Sequence, residues 1–149
     1  MREITGEQGS EEWLSARMGV PSASQFGRLI TPSGRASKGL ASYVQELRLE
    51  RQGVSGSTFT NDAMQRGSAL EPEARLHYEW IADQTVMETG FILADCGTYG
   101  CSPDGICSEI LGLEIKCPPD RVMKTYLDDA EAARSKYQAQ IQGCMLVTG

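Results

Sequence analysis

The sequence predicts an α/β fold in a single domain spanning residues 1–149, and three observations carry that expectation. Apolar residues recur at helical spacing through the first half of the chain. Short apolar stretches bounded by turn residues follow between positions 85 and 117. Two further helical segments complete the sequence after Pro118-Pro119.

The elements follow in order. Ser10 is a natural N-cap, Glu11 and Glu12 put negative charge in the first turn, and the helix is expected to run to about Arg17 and stop at Gly19. After the connector Val20-Pro21-Ser22-Ala23, a second short helix is expected with Ser22 or Ser24 near its start and Phe26, Leu29 and Ile30 inward. Thr31–Ser37 reads as a loop. Leu40, Tyr43, Val44 and Leu47 define a third helix ending at Gly53, and Ser55-Gly56-Ser57-Thr58 reads as a flexible loop rather than a domain boundary.

Met64, Gly67, Glu71, Ala74, Tyr78 and Ile81 share one helical face. An acid on an inward stripe needs a partner or a metal, so Glu71 is a candidate ligand. The alternative is an N-cap-like acid of a new segment begun by Pro72, which removes a helical hydrogen bond. Strands are expected at Thr85–Thr89, Phe91–Leu93, Tyr99–Ser102 and Leu113–Cys117, then helices near Val122–Leu127 and Ala130–Val147. On the last helix Tyr137, Ile141, Cys144, Met145 and Thr148 form the apolar stripe, with Gln140 against it. A glutamine there is either a satisfied core amide or a hydrogen bonder in a site.

Composition narrows the function. At 40% hydrophobic and 23% charged residues the chain reads as globular. No apolar run approaches the ~20 residues that span a bilayer, and the first residues carry no secretory signal, so an intracellular, cytoplasmic protein is expected. A net charge of −6 disfavours a general nucleic-acid coating protein and confines any DNA contact to one face or channel. The five cysteines, Cys96, Cys101, Cys107, Cys117 and Cys144, form no C-x-x-C pair and read as reduced thiols.

The chemistry concentrates in Ser102-Pro103-Asp104-Gly105 and Gly112-Leu113-Glu114-Ile115-Lys116-Cys117-Pro118. A hairpin centred near Glu109 sets Asp104 opposite Glu114, about 5 Å apart between Cβ atoms. Glu114 and Lys116, two residues apart, point to one side of an extended strand. Two carboxylates at that distance repel unless a cation lies between them. Oxygen donors, including the Ile115 carbonyl, favour Mg²⁺ or Mn²⁺. Such an ion activates water and polarises a phosphodiester, and Lys116 is placed to orient the water or stabilise developing charge. The plainer alternative is an ordinary hairpin with a Glu114–Lys116 ion pair.

With Trp13 through Ser24, Arg66-Gly67 with Glu71, and Tyr137 through Gln142, these blocks resemble, in order, the phage lambda exonuclease family of alkaline exonucleases and viral recombinases. The resemblance implies a restriction-endonuclease-like core: a central mixed β-sheet flanked by helices, here lacking the C-terminal part of the fold. It implies a Mg²⁺-dependent exonuclease, with Mn²⁺ as substitute, that digests one strand of linear double-stranded DNA from the 5′ end for single-strand-annealing recombination. It implies a homotrimer around DNA and a single-strand annealing protein as partner. Asp104, Glu114, the Ile115 carbonyl and Glu71 match metal ligands. Lys116 matches the catalytic lysine and Gln140 a glutamine near the attacking water. Arg17 and Ser24 match the 5′-phosphate pocket, although by itself Arg17 reads as a cation at a helix C-terminus. An endonuclease or repair nuclease of the same superfamily, and a non-catalytic DNA-end or partner-binding module, remain as alternatives.

Overall fold

A computed structural model describes residues 2–4, 6, 8–54, 62–108 and 111–149. The expected link at Ser55–Thr58 and the hairpin tip at Glu109 lie outside the described residues. The chain divides into two compact units: Met1–Ser57, Thr89–Ser102 and Lys136–Gly149 in the first, Thr58–Glu88 and Pro103–Ser135 in the second.

In the first unit, β1 (Arg2–Ile4), β2 (Phe91–Leu93) and β3 (Gly100–Cys101) form an antiparallel sheet in that order. Arg2 pairs with Leu93, and Ile92 with Cys101. Successive side chains of a strand face opposite sides. Since Phe91 and Ile92 are both buried, β2 is covered on both faces.

Helix α1 (Glu11–Arg17) has the expected cap, with Ser10 Oγ accepting from the Trp13 N–H at 3.2 Å. Its end is fixed from α2 (Leu40–Arg51): the Gly19 N–H donates to Glu50 and Arg51 Nε donates to the Gly19 carbonyl, both at 2.8 Å. Gly19 has φ +67°, a conformation that a side chain would strain. Between these helices a 3-10 helix (Ala23–Arg28) buries Ala23 and Phe26. Ile30, expected inside, is 48% exposed, because it bridges to Ala36 across a tight turn closed by a Thr31 N–H to Arg35 O bond of 2.8 Å.

In the second unit, α3 (Asp62–Ala82) runs on through Pro72, so the alternative of a new segment begun there does not hold. Its half-buried side includes Gly67, Glu71, Ala74 and Tyr78, whereas Ile81 is 66% exposed near the helix end. β4 (Gly105–Ser108) and β5 (Leu111–Leu113) form the hairpin, with a bulge between Ile106 and Ser108. The close approach of Val86 to the β4 backbone requires Gly105, since a Cβ there would lie 2.1 Å from Val86 Cγ1. Helices α4 (Asp120–Asp128) and α5 (Ala130–Thr148) follow, α5 ending in the first unit.

The α/β class is as expected. Among the described residues its sheet component is two small antiparallel sheets rather than one central mixed sheet, and the parallel pairing there is the Ser22–Gly100 bridge. Three expected strands shrink, Tyr99–Ser102 among them, to the two residues of β3. Thr85–Thr89 contributes a Met87–Ile106 bridge, because the Val86 N–H goes to Glu79 Oε1 at 2.6 Å instead of a ladder. The strand expected over Leu113–Cys117 stops at Leu113, because the Ile115 N–H turns to a carboxylate and Pro118 and Pro119 have no N–H to offer. No helix among the described residues is long and apolar enough to cross a membrane.

Candidate active site

The hairpin register sets the site in the second unit. Gly105 pairs with Leu113, and the Asp104 N–H donates to the Leu113 carbonyl at 3.1 Å, so Asp104 comes level with Glu114 just beyond the ladder. Asp104 is 9% exposed, and its carboxylate accepts from the Ile115 N–H at 2.5 Å. The carboxylate is thus oriented by a backbone N–H, and its own backbone is held by the Leu113 carbonyl. Glu114 is ion-paired with Lys116, as the i, i+2 geometry allows.

Glu71 reaches the same place from α3. Its carboxyl hydrogen-bonds to that of Asp104. Burial first, and then the Asp104 charge, push Glu71 up to about 7, against the opposing pull of Arg75 and Lys116. Arg75 lies one turn further on, with Nη2 3.8 Å from Glu71 Oε1, and is also paired with Glu88. Three contacts therefore connect the expected residues: Glu71 with Asp104, Asp104 with Ile115, and Glu114 with Lys116. Among the described residues no three His, Cys, Asp or Glu side chains converge as a ready metal cluster, since Glu114 is drawn to Lys116.

The donors nevertheless suit a divalent cation. Glu71, Asp104 and Glu114 offer carboxylate oxygen and Ile115 a carbonyl, the hard oxygen set that Mg²⁺ and Mn²⁺ prefer. The proton that Glu71 keeps to about pH 7 relieves carboxylate repulsion, which a cation relieves more effectively.

Arg17, Ser24 and Gln140 belong to the first unit. The Arg17 guanidinium sits 4.3 Å over the Trp13 ring, and burial lowers its pKa while Tyr43 and Glu50 oppose that shift. Trp13 is itself oriented by its Nε1–H, which donates to Ser102 Oγ at 2.8 Å. Ser24 is exposed, with its hydroxyl 3.2 Å from the Ser22 hydroxyl, and the Ser22 N–H donates to Tyr43 Oη at 3.3 Å. A stacked arginine and a pair of adjacent hydroxyls are each chemically suited to phosphate oxygens. Gln140 is half-buried on α5, on the side that buries Gly143 and Val147.

Sequence reasoning missed four neighbours. Arg75 was visible in principle, because residues i and i+4 of a helix meet. Ser22 and Tyr43 carry no local signal, as they are brought together from separate elements. Arg66 was quoted only as part of a motif. In the structure its Nη1 donates to the carbonyls of Cys117 and Pro118 at 3.4 and 3.0 Å, and its Nη2 pairs with Asp120 at 3.2 Å.

Comparison with known proteins supplies the family and the fold. The family model of the YqaJ-like viral recombinase domain matches residues 12–149. The fold is similar to that of an alkaline exonuclease (LHK-Exo) from Laribacter hongkongensis, with a TM-score of 0.79 and 32% sequence identity over 94% of this chain and 69% of that one. The structure of LHK-Exo in complex with dAMP is similar to the same degree. No curated protein matches the sequence.

Proposed function

The chain belongs to the YqaJ-like viral recombinase family, its likeness to an alkaline exonuclease supports a nuclease role, and from that premise we propose that it is a Mg²⁺-dependent 5′→3′ exonuclease. It removes mononucleotides from one strand of linear double-stranded DNA and leaves a 3′ overhang for a single-strand annealing protein. The observation that carries this reading is the Asp104 carboxylate, locked to the Ile115 backbone and facing Glu71, beside the Glu114–Lys116 pair.

Glu71, Asp104, Glu114 and the Ile115 carbonyl would hold the ion. Bound there, Mg²⁺ supplies Lewis acidity that offsets phosphodiester charge and favours attack by water. Asp104 keeps a fixed orientation and needs no reorganisation as charge develops. Lys116 is a cation held beside the carboxylates, placed to orient the attacking water or to meet charge on a phosphate oxygen. Gln140 completes the reading as a hydrogen bonder to that water. Arg17 and Ser24, supported by Ser22 and Tyr43, anchor the terminal 5′ phosphate and give digestion its direction. A nucleoside monophosphate of the class bound to LHK-Exo, dAMP, is the expected product. An acidic chain of net charge −6 suits a homotrimer that confines DNA to a basic channel.

The test compares linear 5′-phosphorylated duplex with covalently closed circular duplex in the presence of Mg²⁺. Mononucleotides from the linear substrate, and none from the circle, are expected. Cutting of the closed circle would assign an endonuclease instead. End binding without any hydrolysis would assign a non-catalytic DNA-end module.

A further inference from the structure

Beyond Leu113 the chain leaves its ladder, so the stretch bearing Glu114, Ile115 and Lys116 lies outside the β4–β5 pairing. Pro118 and Pro119 have no N–H and cannot rebuild a ladder. Two contacts bracket this stretch. At its start the Ile115 N–H is bound by the Asp104 carboxylate. At its end the guanidinium of Arg66, about one and a half turns before Glu71 on α3, bonds two successive carbonyls. The next carbonyl, that of Pro119, already belongs to α4, accepting from the Val122 and Met123 N–H groups at 2.8 and 2.9 Å.

We propose that Arg66 is a positioning residue whose guanidinium clamps the Cys117 and Pro118 carbonyls and thereby fixes Lys116 and its neighbours relative to Glu71. The chemistry requires arginine. Its planar fork presents five N–H groups in fixed directions, so one side chain spans two carbonyls and a carboxylate. A lysine ammonium reaches the same region without the fork. The pairing with Asp120, whose side chain is 97% exposed, faces solvent and contributes little. The carbonyl bonds therefore carry the clamp.

The kinetic consequence rests on the nuclease reading, whereas the structural one does not. Wild type, Arg66→Ala, Arg66→Lys and Asp120→Ala are compared by hydrogen exchange and by steady-state hydrolysis of linear duplex DNA with Mg²⁺. In Arg66→Ala the amides of Glu114, Ile115, Lys116 and Cys117 are expected to exchange roughly tenfold faster, with β4 unchanged. The kcat is expected to fall roughly 10- to 100-fold, with KM held within about twofold. Asp120→Ala should stay within about twofold of wild type in both assays. Unchanged exchange together with wild-type kcat in Arg66→Ala overturns the clamp. Should Arg66→Ala fail to fold, Arg66→Lys decides by the same readouts: faster exchange and lower kcat support the clamp, and wild-type values overturn it. An inactive wild type sinks the nuclease reading alone, and the exchange comparison then decides the clamp.

Discussion

The Asp104 carboxylate accepts a hydrogen bond from the Ile115 backbone N–H at 2.5 Å. This bond ties the end of one hairpin strand to the stretch that follows the other. It aligns the acid with Glu114 after the strand pairing has ended.

Asp104 therefore has a structural role and a charge role, and two substitutions separate them. Asp104→Asn keeps an oxygen that can accept from Ile115, so its melting temperature should stay near that of wild type while Mn²⁺ affinity by calorimetry and nuclease activity fall. Asp104→Ala should lose about 1.5–3 kcal/mol of stability as well. Equal melting temperatures for the Ala and Asn variants would remove the structural role.

Glu71 sets a pH dependence in metal-free protein. Its folded pKa of about 7 lies above the ordinary value of 4.5, so the folded state holds the proton more tightly than the unfolded chain. Stability is thus lost as pH rises between those values, and the loss is complete above the higher one. Glu71→Gln removes the charge and should melt higher than wild type at alkaline pH, by on the order of 1 kcal/mol once solvent screening is allowed for. The advantage should vanish in acid, while nuclease activity is lost throughout. A Gln variant no more stable than wild type at alkaline pH contradicts the Glu71–Asp104 repulsion.

Arg17→Ala should leave hydrolysis intact but reduce the preference for 5′-phosphorylated over 5′-hydroxyl ends by roughly tenfold or more, the scale of a charge-assisted bond. Competition between the two labelled ends measures this directly. An unchanged preference removes Arg17 from the terminal-phosphate role.

Packing in the first unit gives a prediction independent of function. A Cβ on Gly143 would lie 2.6 Å from Phe26 Cδ2 and 3.0 Å from Ala23 Cβ. Gly143→Ala should therefore destabilise by about 1–3 kcal/mol through overpacking, read as a lower denaturation midpoint. A neutral result would mean that α5 does not pack this closely on the 3-10 helix.

The helices were legible where their ends are punctuated. Ser10 and Gly19 bracket α1, and Gly53 follows α2, because capping and left-handed turns depend on local residue type. The hairpin was legible because one register sets Asp104 level with Glu114. Other features depend on contacts that periodicity does not encode. β1 has three residues and exists by pairing with β2. The buried side of α5 centres on Gly143 and Val147, since a glycine contact adds nothing to an apolar count, while Ile141 and Met145 of the expected stripe are 40% and 59% exposed. The Arg66 bonds go to carbonyls, which every residue carries, so no spacing announces them.

The proposed function requires Asp104, Glu114, Lys116 and Glu71 to act together as a metal-dependent phosphodiesterase centre. The most direct measurement is mononucleotide release from a 5′-phosphorylated linear duplex, with and without Mg²⁺, by wild type and Lys116→Ala. Metal-dependent release by wild type is predicted, abolished in Lys116→Ala, with the variant still folded and still binding Mn²⁺. Release that persists in Lys116→Ala, or proceeds equally in the presence of a chelator, would contradict it.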